Sequence, residues 1–184
     1  RDFVLSGAEL EGAARERFAQ IQAAQAEIGQ EDSEDVLDAT DGYAYTATRD
    51  ELAGLPDDVI EAARSGDAYR LTLHYPSFFP VMQFADDRRL RETLYTAYST
   101  RASELGEPAL DNSPLMRRTL ELRHEKARLL GYGHFAEVSL VPKMAESPAD
   151  VLAFLRELAV KSKPFAERDM TELREFAVSQ GLTS

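Results

Sequence analysis

The sequence contains no cysteine and no tryptophan, only three histidines, and no apolar run near the length of a membrane span. Without cysteine there is no disulfide framework, no thiolate nucleophile and no thiolate-ligated zinc. Without about 18 consecutive apolar residues no spanning helix is expected, and the opening RDFVLSGAE lacks a signal-peptide layout. Cations are scarce as well: 21 Lys and Arg stand against 33 Asp and Glu, a formal net charge of −12. A nucleic-acid groove or an anionic membrane surface would repel such a chain, so neither is an expected partner. A cytoplasmic setting is expected. The first residue is Arg1 rather than Met, which fits a processed or excised piece of a longer chain.

What the chain does have is one domain's worth of ordinary globular composition, 184 residues of which 43% are hydrophobic. At that length about 70% of the unfolded surface can be buried, so a core can form without disulfides or a structural metal. Charge divides the sequence: residues 1–67 hold 17 acids and 5 bases, whereas residues 68–184 hold 16 of each. An acidic run of this kind reads as a solvated helix face. With no internal repeat, low-complexity tract or long linker, residues 1–184 are expected to be a single helical segment, acidic to residue 67 and neutral from 68.

Ser6 and Glu9 have capping-box spacing and predict a helix start, after which Leu10, Ala14, Phe18, Ile21, Ala24 and Ile28 recur on one helical face. The stripe next meets Asp32, where a fray, turn or partner is expected, and Asp41-Gly42 predicts the end. Tyr69, Leu71, Leu73 and Tyr75 alternate with Arg70, Thr72 and His74, the period of a strand with one buried face. The region Tyr43 to Thr48 is its expected partner, and the two together predict a two-stranded ribbon. Between them lie a Thr48/Glu51 capping box, a Gly54 stop and a helix opened by Pro56. A turn from Ser77 to Phe84 should lead into a helix over residues 86–105. Asn112-Ser113-Pro114 starts another that runs to Gly131, with Leu115, Leu122 and Leu129 seven apart. A short segment His134–Leu140 follows. Ser147-Pro148 with Asp150 then opens a helix carrying Val151, Leu155, Leu158 and Phe165, with Pro164 predicting a kink before Leu173 and Phe176. The expected fold is all-α, a mainly helical multi-helix lobe with one small two-stranded β ribbon.

Reactive chemistry is sparse. A zinc peptidase needs two imidazoles one helical turn apart with a glutamate beside the first. His124-Glu125 begins such a pattern, but Arg128 stands where the second histidine is required and cannot bind zinc. Exposed pairing among Glu121, His124, Glu125 and Arg128 is the simpler expectation. His74 lies on the polar side of the predicted strand, and His134 follows Gly131-Tyr132-Gly133, glycines that sit after a helix and read as its stop rather than as a phosphate loop. No G-x-S-x-G element occurs. No catalytic, cofactor-binding or metal-ligating residue is therefore assigned.

Two long stretches resemble a known family. LTLHYPSFFPVMQFADDRRLRETLYTAYSTRASE at residues 71–104 and LRHEKARLLGYGHFAEVSLVPKMAESPADVLAFLRELAVKSKPFAERDMTELREF at residues 122–176 are similar to the thimet oligopeptidase and neurolysin family of zinc metallopeptidases. VLDATDGY and ELAGLPDDVIEAAR resemble it too, so the likeness runs along nearly the whole chain. Asp32 and Asp35 depart from it, standing where the family more often has Phe and Asn.

The resemblance implies an intracellular zinc endopeptidase that cleaves short peptides in a channel between two helical lobes. This chain would be part of the N-terminal lobe, supplying channel wall and size exclusion. It further implies that the zinc-binding H-E-x-x-H helix, the third glutamate ligand and the substrate-binding histidine and tyrosine lie beyond the point matching Ser184. Zinc would then be bound outside this chain, and the expected partners are short peptides, the C-terminal part of the peptidase and, for the piece alone, a second copy. The competing expectation is a noncatalytic helical protein-interaction module.

Overall fold

The structure, a computed structural model, describes residues 2–182. In chain order its helices are α1 (Asp2–Leu5), α2 (Gly12–Asp41), α3 (Asp57–Ala63), α4 (Tyr75–Phe84), α5 (Arg88–Thr100), α6 (Ser113–Leu129), α7 (Phe135–Leu140) and α8 (Pro148–Ser179). The strands are β1 (Tyr45–Ala47), β2 (Arg64–Ser65) and β3 (Ala68–Leu71). The mainly helical expectation holds. Two compact units form, one of residues Arg17–Leu122 and one of the residues up to Glu16 with those from Arg123 onward.

In the unit Arg17–Leu122 the alternating pattern folds as a strand, but a shorter one. β3 stops at Leu71 rather than Tyr75, because the Ser77 hydroxyl accepts the Thr72 N–H at 2.9 Å and the chain turns into α4. β1 lies antiparallel to it, with Tyr45 opposite Leu71 and Ala47 opposite Tyr69. The two-stranded ribbon is corrected to a three-stranded sheet, order β1-β3-β2. Gly66, at φ +62°, lets the chain turn back through Gly66-Asp67, so Arg64-Ser65 leave the helical pattern to pair with Ala68-Tyr69.

One face of this sheet carries the core. Ala47, Tyr69 and Leu71 pack with Leu52, Leu55, Ile60, Leu73, Phe78, Val81, Leu90 and Leu94 from the surrounding helices and turns. The Phe78 ring stacks on Tyr98 at 4.2 Å between centroids.

The turn expected over Ser77 to Phe84 is instead a ten-residue helix, α4. Pro76 occupies its first turn, where a missing N–H costs nothing. The helix expected over 86–105 is shorter. It begins after Asp87, whose carboxylate accepts the Arg89 and Leu90 N–H groups, and ends at Thr100.

Local caps explain the remaining boundaries. At the predicted Thr48/Glu51 box, the Glu51 carboxylate accepts the Thr48 N–H at 2.7 Å and the Glu51 N–H reaches back to the Thr48 hydroxyl. The Tyr45 hydroxyl donates to the same carboxylate at 2.5 Å. That bond, with burial second, pushes the Tyr45 phenol up to about 12, while the Thr48 N–H and then the Tyr45 hydroxyl hold Glu51 below the usual carboxylate range. The sign follows for each group. Tyr45 favours the fold below its ordinary value and loses that contribution as pH rises toward 12. Glu51 favours the fold above its ordinary value and loses that contribution in acid.

The Ser6/Glu9 box does not form. The Ser6 hydroxyl donates to the Phe3 carbonyl at 2.7 Å, and α2 starts only at Gly12. α2 then runs without a break through Asp32 to Asp41, so of the fray, turn or partner expected at Asp32 only the partner is found, the Asn112 side-chain amide donating to the Asp32 carbonyl, and the Gly42 N–H closes onto the Asp38 carbonyl as the turn pair predicts. Phe18 and Ile21 of its stripe are buried.

In the other unit, α6 ends as predicted at Gly131 (φ +82°), where the Tyr132 N–H reaches back to the Ala127 carbonyl. Ser147 caps α8, accepting the Asp150 N–H at 3.2 Å. α8 continues through Pro164 for 32 residues, about 48 Å at 1.5 Å per residue. From Leu152 to Phe176 every one of its side chains is exposed, including Phe154, Leu155, Leu158, Phe165, Leu173 and Phe176.

Candidate functional site

The three histidines occupy three different local settings. His74 is the N-cap of α4 rather than a strand residue, and its Nε2 lies 3.0 Å from Asp41 Oδ1 at the end of α2. The extended pattern places it on a strand because nothing local announces that β3 ends early. His134 is the N-cap of α7, with Nε2 3.6 Å from Glu137 Oε1, while the other Glu137 oxygen accepts the Gly133 N–H at 2.7 Å. Gly133 thus serves the entrance of α7 rather than the stop of α6 that the sequence suggests.

His124 is exposed on α6, and so is Arg128 one turn later. Of the residues expected to pair on this face, Glu121 pairs instead with Arg118 at 2.9 Å. Lys126, half-buried on the same helix, is pushed down by burial and then by the nearby Arg123 charge. Among the described residues no three His, Asp or Glu side chains are grouped so as to hold a metal ion.

A different feature in the unit Arg17–Leu122 escapes sequence reasoning. A recess of about 590 Å³ lies where β2 stops, bounded by the end of α3, by Arg70 to Thr72 of β3 and its exit, and by His74, Pro76 and Ser77 at the start of α4. In the alternating pattern Arg70 reads as an ordinary solvent-side strand residue. Only the shortness of β2 exposes the strand beside it, and that follows from a turn at Gly66-Asp67 that the helical pattern before it conceals.

Asn112 does more than signal a helix start. Its backbone does open α6, with its carbonyl accepting the Met116 N–H, but its side chain is buried, and Nδ2 donates to the Asp32 carbonyl at 2.9 Å. That bond spans 80 residues, beyond the reach of any local spacing rule. It falls at the very residue where the α2 stripe is interrupted.

Comparison with known proteins gives these elements a common context. The model of peptidase family M3 matches residues 81–183. Oligopeptidase A of Salmonella typhimurium is 44% identical over 189 residues, covering 98% of this chain and 28% of that protein. Oligopeptidase A of Escherichia coli is 43% identical over the same coverage. The organellar oligopeptidase A of Arabidopsis thaliana is 38% identical over 197 residues, covering 98% of this chain and 24% of its own length. The chain spans about a quarter of the length of these relatives. A family match over more than half the chain, together with identity along almost all of it, is decisive: the chain belongs to peptidase family M3.

Proposed function

We propose that this chain is a stretch of the N-terminal lobe of an intracellular, zinc-dependent oligopeptidase, in which it builds channel wall and excludes large substrates while the reactive groups lie elsewhere. The observation that carries the reading is its 44% identity to an oligopeptidase A over 98% of its length. Zinc in such an enzyme polarises the scissile carbonyl and activates a water. The residues present here do not fit that ion: His124 is followed one turn later by a guanidinium, and His74 and His134 each face their own carboxylate. No step of the reaction is assigned to them. Short peptides are the proposed substrates and the cytoplasm the proposed setting.

Shape suits this role. A channel wall needs long, stiff elements that keep an extended peptide in and a folded protein out, and α8 alone is about 48 Å long. Its exposed apolar side chains are the surface that the remaining C-terminal part of the peptidase would cover. Leu155 and Leu158 are exposed, whereas Val151 is half-buried. Of the segment Phe78 to Phe84, Phe79 and Phe84 are exposed, while Phe78 and Val81 belong to the core. The 184-residue chain alone should therefore associate with itself. Light scattering above the monomer mass, with binding of an apolar dye, is the expected result; a clean monomer that binds no dye would contradict it.

The functional reading is tested in the longer protein that contains this chain. It should cleave short peptides, lose activity to a chelator, and keep it in the His124→Ala variant. Loss of both zinc and activity in His124→Ala would place the catalytic centre here instead.

A further inference from the structure

The recess beside β3 has the makings of a binding site. β3 is the middle strand of its sheet, yet β2 reaches only as far as Arg64, opposite Tyr69, so beyond Tyr69 the strand has no neighbour on that side. The open edge is short, because the Thr72 N–H is already taken by the Ser77 hydroxyl. A long strand has no room to pair there. The last residue of a peptide does.

The charge around the recess points the same way. In a chain of net charge −12, its charged lining is Arg64, Arg70 and His74 against the single acid Asp58. Arg64 is held by Glu61 through three hydrogen bonds of 3.0 to 3.2 Å, and His74 faces Asp41. Arg70 is exposed and makes no ion pair among the described residues, leaving its fork of donors free for a carboxylate. Val59 and Ala62 offer an apolar wall for a small side chain next to it.

We propose that this recess binds the C-terminal residue of a short peptide, with its carboxylate on the Arg70 guanidinium, its backbone along the open edge of β3 and its side chain against Val59 and Ala62. The choice of a peptide as ligand rests on the oligopeptidase reading, whereas the preference for a terminal carboxylate comes from the recess itself.

The test is calorimetric titration of the 184-residue chain with N-acetylated Ala-Ala-Ala-Leu, as the free acid and as its C-terminal amide. The acid is expected to bind at least tenfold more tightly than the amide, and Arg70→Gln to remove that difference. Because Arg70 is exposed, its replacement should leave the fold intact, and an unchanged melting temperature checks this. Backbone amide shifts on adding the acid should centre on Arg70 to Thr72.

Equal binding of acid and amide, no binding of either, shifts centred elsewhere, or a difference that survives in Arg70→Gln would each overturn the proposal. Inorganic phosphate displacing the acid at equal concentration would make the recess a general anion site and overturn it likewise. None of these outcomes bears on chelator-sensitive cleavage by the longer protein, so the two readings fail separately.

Discussion

Gly54→Ala should cost about 3 kcal/mol or more of folding stability, a large effect for a single added methyl group. Two causes add. Gly54 sits at φ +89°, a left-handed conformation that costs a side-chain-bearing residue roughly 1–2 kcal/mol. A Cβ there would also come within 2.2 Å of the Phe84 carbonyl oxygen and 3.0 Å of the Asp86 carboxylate. The close neighbour is backbone at the end of α4, and it cannot swing away as a side-chain tip could. The adjoining hydrogen bond from the Asp86 N–H to the Ala53 carbonyl, 2.8 Å, would be strained by any shift. Gly66 supplies the control. It too has a positive φ, but a Cβ there meets nothing within 4 Å, so Gly66→Ala should show the conformational cost alone. Chemical denaturation of both variants measures the difference, and equal losses would show that the Gly54 contact with Phe84 is not tight.

Leu71→Ala is the second large effect, with an expected loss of about 2–5 kcal/mol. Leu71 is fully buried at the end of the central strand, opposite Tyr45, and it belongs to the same cluster as Leu52, Leu73, Val81 and Leu94. Its removal leaves a cavity between sheet and helices that rigid neighbours fill only in part. Leu158→Ala, on the exposed face of α8, removes the same atoms at a position that is 50% exposed and should cost well under 1 kcal/mol in the monomer. Thermal melts of the two variants at low protein concentration make the comparison. A Leu71→Ala melt indistinguishable from that of Leu158→Ala would mean the core is not where the sheet places it.

Features governed by close neighbours along the chain are legible in the amino-acid sequence itself. The Thr48/Glu51 and Ser147/Asp150 caps, the Asp41-Gly42 turn and the Gly131 stop all depend on residues within a few positions of each other, and each forms as its spacing predicts. Where spacing misleads, a competing local partner or a distant one decides the outcome. The Ser6 hydroxyl turns back to the Phe3 carbonyl instead of capping forward. Ser77 takes the Thr72 N–H and ends a strand whose alternating pattern continues through Tyr75. The segment Ser77 to Phe84, expected as a turn, forms most of α4, with Pro76 in the first turn and Pro80 inside the helix.

The recess by Arg70 is out of reach for another reason. It depends on how far β2 extends, and two residues of pairing leave no periodic trace. Periodicity does identify an apolar stripe on α8, but no pattern in this stretch states what covers it. The family resemblance is legible because it rests on ordered segments such as YPSFFPVM and LLGYGHFAEVSL, and identity along 98% of the chain agrees with it.

The central claim is that this stretch shapes a peptidase without supplying its chemistry. Zinc titration of the purified 184-residue chain, followed in the same samples by a peptide-cleavage assay with and without chelator, tests it most directly. The account predicts only weak, non-stoichiometric zinc binding and no cleavage at any zinc concentration, because no described group of side chains offers the three or so ligands that a catalytic ion needs. Tight one-to-one binding with chelator-sensitive cleavage, abolished in His124→Ala, would contradict it.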